Sequence, residues 1–113
     1  MIESILLNLL TAALGVPVYV MRPEDLPSGR FLVLDRIGTT KENYVTSYTV
    51  AVQSYGTSAL DAAELNESVI AAMEDNVLAD PRFARVHLSN SQMQTDTVRK
   101  RARYQSTFDI VML

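Results

Sequence analysis

The chain has 113 residues, no cysteine, and 13 acidic against 10 basic side chains, a net charge of −3. This length suits one domain that buries roughly two-thirds of its unfolded surface, and a cysteine-free chain has no disulfides, thiolate metal sites or thiol nucleophiles. The acidic balance argues against a dedicated nucleic-acid binder, no apolar run reaches the roughly 20 residues that span a bilayer, and Glu3 in place of a basic leader argues against a signal peptide.

Residues 2–14 place Ile2, Ile5, Leu6, Leu9, Leu10, Ala13 and Leu14 at helical spacing, closed by Gly15, the residue that takes a left-handed cap at least cost. The polar face is thin, only Glu3, Ser4, Asn8 and Thr11. A helix this apolar is expected to be covered by the sheet or by another subunit. It lacks the lysines and arginines of a membrane-surface helix. Val16 to Val20 reads as a short strand, and Pro17, which cannot donate to a ladder, places it at an edge or strand start. Residues 21–30, MRPEDLPSGR, form a loop long enough to be a contact element or simply a solvated connector.

The sheet is expected to be built on residues 31–55. Phe31, Val33, Asp35 and Ile37 alternate with Leu32, Leu34 and Arg36, while Tyr44, Thr46, Tyr48, Val50 and Val52 alternate with Val45, Ser47, Thr49, Ala51 and Gln53. Two period-two runs around the polar GTTKEN predict an antiparallel hairpin, strands 31–37 and 44–55, with a turn over 38–43. Residues 58–77 read as a helix capped by Ser58, with Asp61 positioned to return a bond to the cap. Its buried stripe is Ala62, Leu65, Val69, Ala72, Met73 and Val77. Asp61, Glu64, Glu67, Glu74 and Asp75 read as a solvated face rather than a catalytic pair. Asp80-Pro81 ends the helix, Phe83 anchors the next turn, and residues 85–91 form a short strand. A polar stretch over 91–102 leads to a final strand with Tyr104, Phe108, Ile110 and Met112 on alternating positions. The fold class is therefore α+β over 1–113: an antiparallel sheet of about four to five strands with two helices, the longer across one face.

A search for chemistry returns little. His87, the only histidine, cannot build a two-histidine zinc site within one chain. Its neighbours Val86 and Leu88 put it on the wetter strand face. No serine sits in a nucleophile elbow, and neither phosphate-binding glycine pattern occurs. The expectation is a protein that is not an enzyme, without catalytic, cofactor or metal residues. One local cluster remains, Arg99, Lys100, Arg101 and Arg103. It admits three readings: charge that blunts a sheet edge, an acid-binding contact with a partner or neighbouring subunit, or a nucleic-acid contact, against which the lack of interleaved aromatics other than Tyr104 counts.

Several segments, in order, resemble the small tail-completion or tail-terminator proteins of long-tailed, lambda-like bacteriophages. They are V-Y-x-x-R-P-x-x-x-P at Val18 to Pro27, F-L-V-L-D-R-I-G at Phe31 to Gly38, V-A-V-Q-S-Y at Val50 to Tyr55, A-A-E-L-N-E at Ala62 to Glu67, and R-Y-Q-S-T-F-D-I at Arg103 to Ile110. The resemblance covers nearly the whole chain. It implies a non-enzymatic virion protein, made in the bacterial host cytoplasm. Such a protein assembles as a ring, typically a hexamer, on the last ring of the tail tube and helps join tail to head. Its partners would be further copies of itself, the tail tube protein and the head–tail connector, with no membrane and no specific nucleic acid. The alternative is a small non-enzymatic binding module of a cellular pathway. Under the family reading, DNA must pass the ring's lumen without being gripped. Arg99, Lys100, Arg101 and Arg103 are then expected to face a neighbour's acids such as Glu24, Asp25 or Glu42, across polar loops at 21–30, 38–43 and 91–100.

Overall fold

The structure is a computed structural model that describes residues 2–21, 23–25, 27–95, 97 and 100–112. Chain order is α1 (Ile2–Leu14), β1 (Val18–Tyr19), β2 (Phe31–Glu42), β3 (Val45–Gly56), α2 (Ala59–Ala72), a π-helical turn (Met73–Val77), β4 (Phe83–Met93) and β5 (Ala102–Met112). The five strands form one sheet in the order β1-β2-β3-β5-β4. All neighbours are antiparallel except β1, which runs parallel to β2 at Val18↔Leu32 and Tyr19↔Val33. This is the expected α+β architecture, with α2 across one sheet face. β1 is an edge strand, as Pro17 foretells, and the Pro17 carbonyl accepts from the Leu32 N–H at 2.9 Å.

The hairpin turn falls later than its polar run suggests. β2 continues to Glu42, and the chain reverses at Asn43 and Tyr44, whose φ of 50° and 66° are both left-handed. That is a two-residue turn whose twist matches its strands. Thr39 and Thr40 are β-branched and suit a pleated strand, while Asn43 tolerates the left-handed region, so residues 38–42 are strand rather than loop. A bulge between Arg36 and Gly38 takes up one residue, Ile37. The late strands are also longer than expected: Ser91 to Met93 belongs to β4 and pairs with β5.

Alternation sorts the sheet into two faces. Leu32, Leu34, Val50, Val52, Phe108 and Ile110 lie under the helices in one core with Leu65, Val69, Ala72, Met73, Val77 and Phe83. α2 and the π-helical turn together carry the expected stripe, every member buried. The N-terminus of α2 is capped as read: the Ser58 hydroxyl accepts from the Asp61 N–H at 3.1 Å. The Asp61 carboxylate returns its bond one residue earlier than a capping box would, to the Thr57 N–H at 2.9 Å. Past Ala72 the helix widens, with the Leu78 N–H reaching the Met73 carbonyl at 3.3 Å. The wider turn keeps both Met73 and Val77 in the core.

α1 needs no second subunit to cover it. Ile2, Leu6 and Leu10 are buried against α2, the π turn and the sheet edge, and Ile5, Leu7, Leu9 and Leu14 are half-buried on the same core. Of the two coverings the sequence allows, the chain supplies its own.

Candidate functional site

The helix-free face of the sheet is built by the other half of the alternation. It carries Phe31, Val33 and Asp35 from β2, Thr49, Gln53 and Tyr55 from β3, and Arg103, Gln105, Thr107 and Asp109 from β5. Arg85 and His87 of β4 complete it. At one end Phe31 stacks on Tyr55 with ring centroids 4.5 Å apart and planes 9° off parallel, and Tyr19 meets Phe31 edge-on at 5.8 Å. With Val33 they form a second, smaller apolar cluster. Apart from Ala51, Val45 and Val111 the rest of the face is polar: Thr49 donates to Asp109 at 3.2 Å, and Gln53 donates to Gln105 at 3.3 Å. His87 is exposed and lies in register beside Asp109.

The basic cluster sits at the aromatic end. Arg99 lies outside the described residues. Lys100 is exposed, with a left-handed φ of 53°. Arg101 turns back onto its own chain, donating to the carbonyls of Pro27 at 2.6 Å, Gly29 at 3.0 Å and Gly56 at 3.4 Å, with its guanidinium 5.6 Å from the Phe31 ring centroid. Arg103 donates to the Gln94 carbonyl at 2.7 Å and to the Tyr55 hydroxyl at 3.0 Å, and lies 5.6 Å from the Tyr55 ring centroid. Cations over ring faces gain from the quadrupole, and guanidinium donors suit converging carbonyls. Two of the four positives thus fasten the 27–29 segment and the β4–β5 connection to the sheet. Glu24, Asp25 and Glu42 are exposed, and none of them forms an ion pair among the described residues.

Ion pairs form elsewhere. Arg30 approaches Asp61 with Nε 2.9 Å from Oδ1, but the N–H is not aimed at the oxygen, so this is a charge contact rather than a hydrogen bond. The Thr57 N–H holds the Asp61 carboxyl below its ordinary value, helped by Arg30 and opposed by partial burial. Arg82 lowers Asp80 to about 2 through side-chain and backbone donors. Arg36 reaches Glu3 of α1 at 3.3 Å on the helix side.

A cleft of about 340 Å³ opens where β1 parts from β2, lined by Val20, Met21, Val33, Leu34, Asp35 and Gln53. Met21 is 84% exposed there. Among the described residues no group of three or more His, Cys, Asp or Glu side chains is placed to hold a metal, and no helix is long and apolar enough to cross a membrane.

The sequence reading missed a buried polar link beneath α2. Asn66, 2% exposed, donates to the Ser91 hydroxyl at 2.9 Å and accepts from the Ser106 hydroxyl. The signal was available: Asn66 follows Ala62 by four residues on the buried stripe, and Ser106 falls between Tyr104 and Phe108 in the strand alternation. The link ties α2 to both β4 and β5, and a satisfied polar group in a core fixes which face packs where. No model of a known protein family matches the chain, and no curated protein matches it.

Proposed function

We propose that this protein is a structural component of a bacteriophage tail, of the tail-completion or tail-terminator kind. In this reading it works without catalysis. Copies assemble as a ring, a hexamer in such proteins, on the last ring of the tail tube, stop its growth and offer a surface to the head–tail connector. The ordered motifs from Val18 to Ile110, which resemble those of such tail proteins, support this reading. The geometric observation that carries the reading is a domain with two long sheet edges that no strand of the described residues covers: β2 beyond Val33, and all of β4. Such edges are liabilities in an isolated subunit and interfaces in an assembly.

Mixing the purified protein with isolated tail tubes, followed by electron microscopy and native mass spectrometry, tests this. Capped tube ends and a ring on the tube are expected. A protein that stays monomeric at millimolar concentration and leaves tube ends uncapped overturns the reading. The cleft at Val20, Met21 and Asp35 favours a second reading, a small binding module of a cellular pathway. A monomer that retains a small molecule against Met21 and Val33 would favour that alternative.

A further inference from the structure

We propose that the outer edge of β2 and the outer edge of β4 are the two halves of one interface, so that copies of this chain join edge to edge in a continuing antiparallel sheet. The inference rests on the ring reading above and names the surface through which such a ring would be built.

The first observation is that both edges are bare over similar lengths. β1 pairs with β2 only at Leu32 and Val33, so no strand of the described residues lies outside 34–42. β4 is the last strand in the order and offers 83–93. The side chains along these runs are largely exposed, Ile37 to 59%, and Val86 and Leu88 are only half-buried.

The second is direction. β2 is antiparallel to β3, β3 to β5 and β5 to β4, so β4 runs opposite to β2. A second copy set beside the first, its helices on the same side, therefore offers β4 antiparallel to β2. That is the pairing with hydrogen bonds perpendicular to the strands, and the more stable one per residue.

The third is charge. Overlapping the two free runs end to end sets Glu42 beside Arg85 and Thr40 beside His87. All four lie on the helix-free face: Thr40 pairs with Ser47, which shares a row with Val111 and Arg85. Neither Glu42 nor Arg85 forms an ion pair among the described residues of its own chain. Bulges at Ile37 on β2 and beside Leu88 on β4 discourage pairing with arbitrary strands, so a matched edge is required. Because the two edges differ, the contact is heterologous and closes into a ring when the rotation between copies permits.

The chain has no cysteine, which makes disulfide trapping clean. In a variant carrying Thr40→Cys and His87→Cys, the two thiols of one chain stand at least three strand spacings apart, about 14 Å. That exceeds the roughly 7 Å Cα separation a disulfide tolerates, so any bond links two chains. Assembly on tail tubes followed by mild oxidation should give a ladder of covalent oligomers. Thr40→Cys with Gln92→Cys, displaced along the strand, should give none. Arg85→Glu should raise the concentration needed for assembly several-fold, and adding Glu42→Arg should restore it. Both substitutions are on the surface, and unchanged urea melts will show that each variant folds. Rings that form without the ladder and ignore Arg85→Glu overturn the edge pairing while leaving the ring intact. An equal ladder from the displaced pair also overturns it. Failure of the unaltered protein to assemble on tubes removes the ring reading and this inference together.

Discussion

At the residue scale, packing density sets which changes matter. Leu65 is 1% exposed in the main core, whereas Glu67, two residues on, is on the surface. Leu65→Ala should cost about 2–5 kcal/mol in urea melts as a cavity-forming change, and Glu67→Ala should be nearly silent. Equal small effects would mean that this face of α2 is not the packed one. Gly56 is a sharper case. A Cβ there would meet the Ala62 backbone nitrogen at 2.4 Å, where the strand runs into the start of α2. Backbone cannot yield as a flexible side chain does, so Gly56→Ala should destabilise by about 1–3 kcal/mol or more. A melt unchanged by Gly56→Ala would show that the β3–α2 junction is looser than its contacts indicate.

At the scale of elements, two junctions carry charge. Arg101 and Arg103 hold the 27–29 segment and the β4–β5 connection to the aromatic end of the sheet. Arg101→Ala should cost about 1.5–3 kcal/mol, the range for hydrogen bonds to a charged group. It should also speed proteolysis within 21–30. Lys100→Ala, by contrast, should change neither. Reversing the whole basic cluster is therefore expected to weaken the fold as well as any contact with a partner. The helix ends add a pH dependence. Asp80 titrates near 2 in the folded chain against an ordinary 3.8, and Asp61 is also lowered. Between those values the unfolded state binds protons that the folded state does not. Their stabilisation is thus complete above the ordinary carboxylate value and is lost as the pH falls towards 2. Asp80→Asn should flatten this part of the acid-unfolding curve, measured by circular dichroism; an unaltered curve would assign the dependence to other carboxylates.

At the scale of the whole molecule, the domain is elongated, 43 × 24 × 22 Å, with both helices on one side of the sheet. Antiparallel sheets commonly leave one face wet, and the helix-free face is largely so, its buried side chains being Phe31, Val33 and Tyr55 of the aromatic cluster and the small Ala51. α1 is satisfied within the chain, so its apolarity does not itself call for a neighbour. The proposed assembly is held instead by sheet edges and surface charge. Exposed ion pairs are worth about 0.2–1 kcal/mol each and are screened by salt. Ring formation should therefore be concentration-dependent and weaken at high ionic strength, as native mass spectrometry and light scattering would read it. Salt-independent assembly would point to an apolar interface and away from the charged edges.

Which elements form, and which face of each is buried, was legible in the chain, though not every strand end. Period-two alternation over 31–55 and the 62, 65, 69, 72, 73, 77 spacing of α2 and the π-helical turn are local patterns, and a one-residue slip in either would expose a core side chain. Ser58 and Asp61 marked the cap for the same local reason. Features that depend on distant partners emerged only on folding. The turn moved to Asn43 and Tyr44, because pairing with β3 through Glu42 extends the ladder over residues whose composition alone reads as loop. Asn66 became part of a buried link, because only folding brings Ser91 and Ser106 beneath it. Arg101 became a clasp rather than a free charge, because the carbonyls it binds lie more than 70 residues away at Pro27 and Gly29. The bare edge of β4 follows from strand order and that of β2 from the shortness of β1, and strand order is a choice among long-range pairings that no local period encodes.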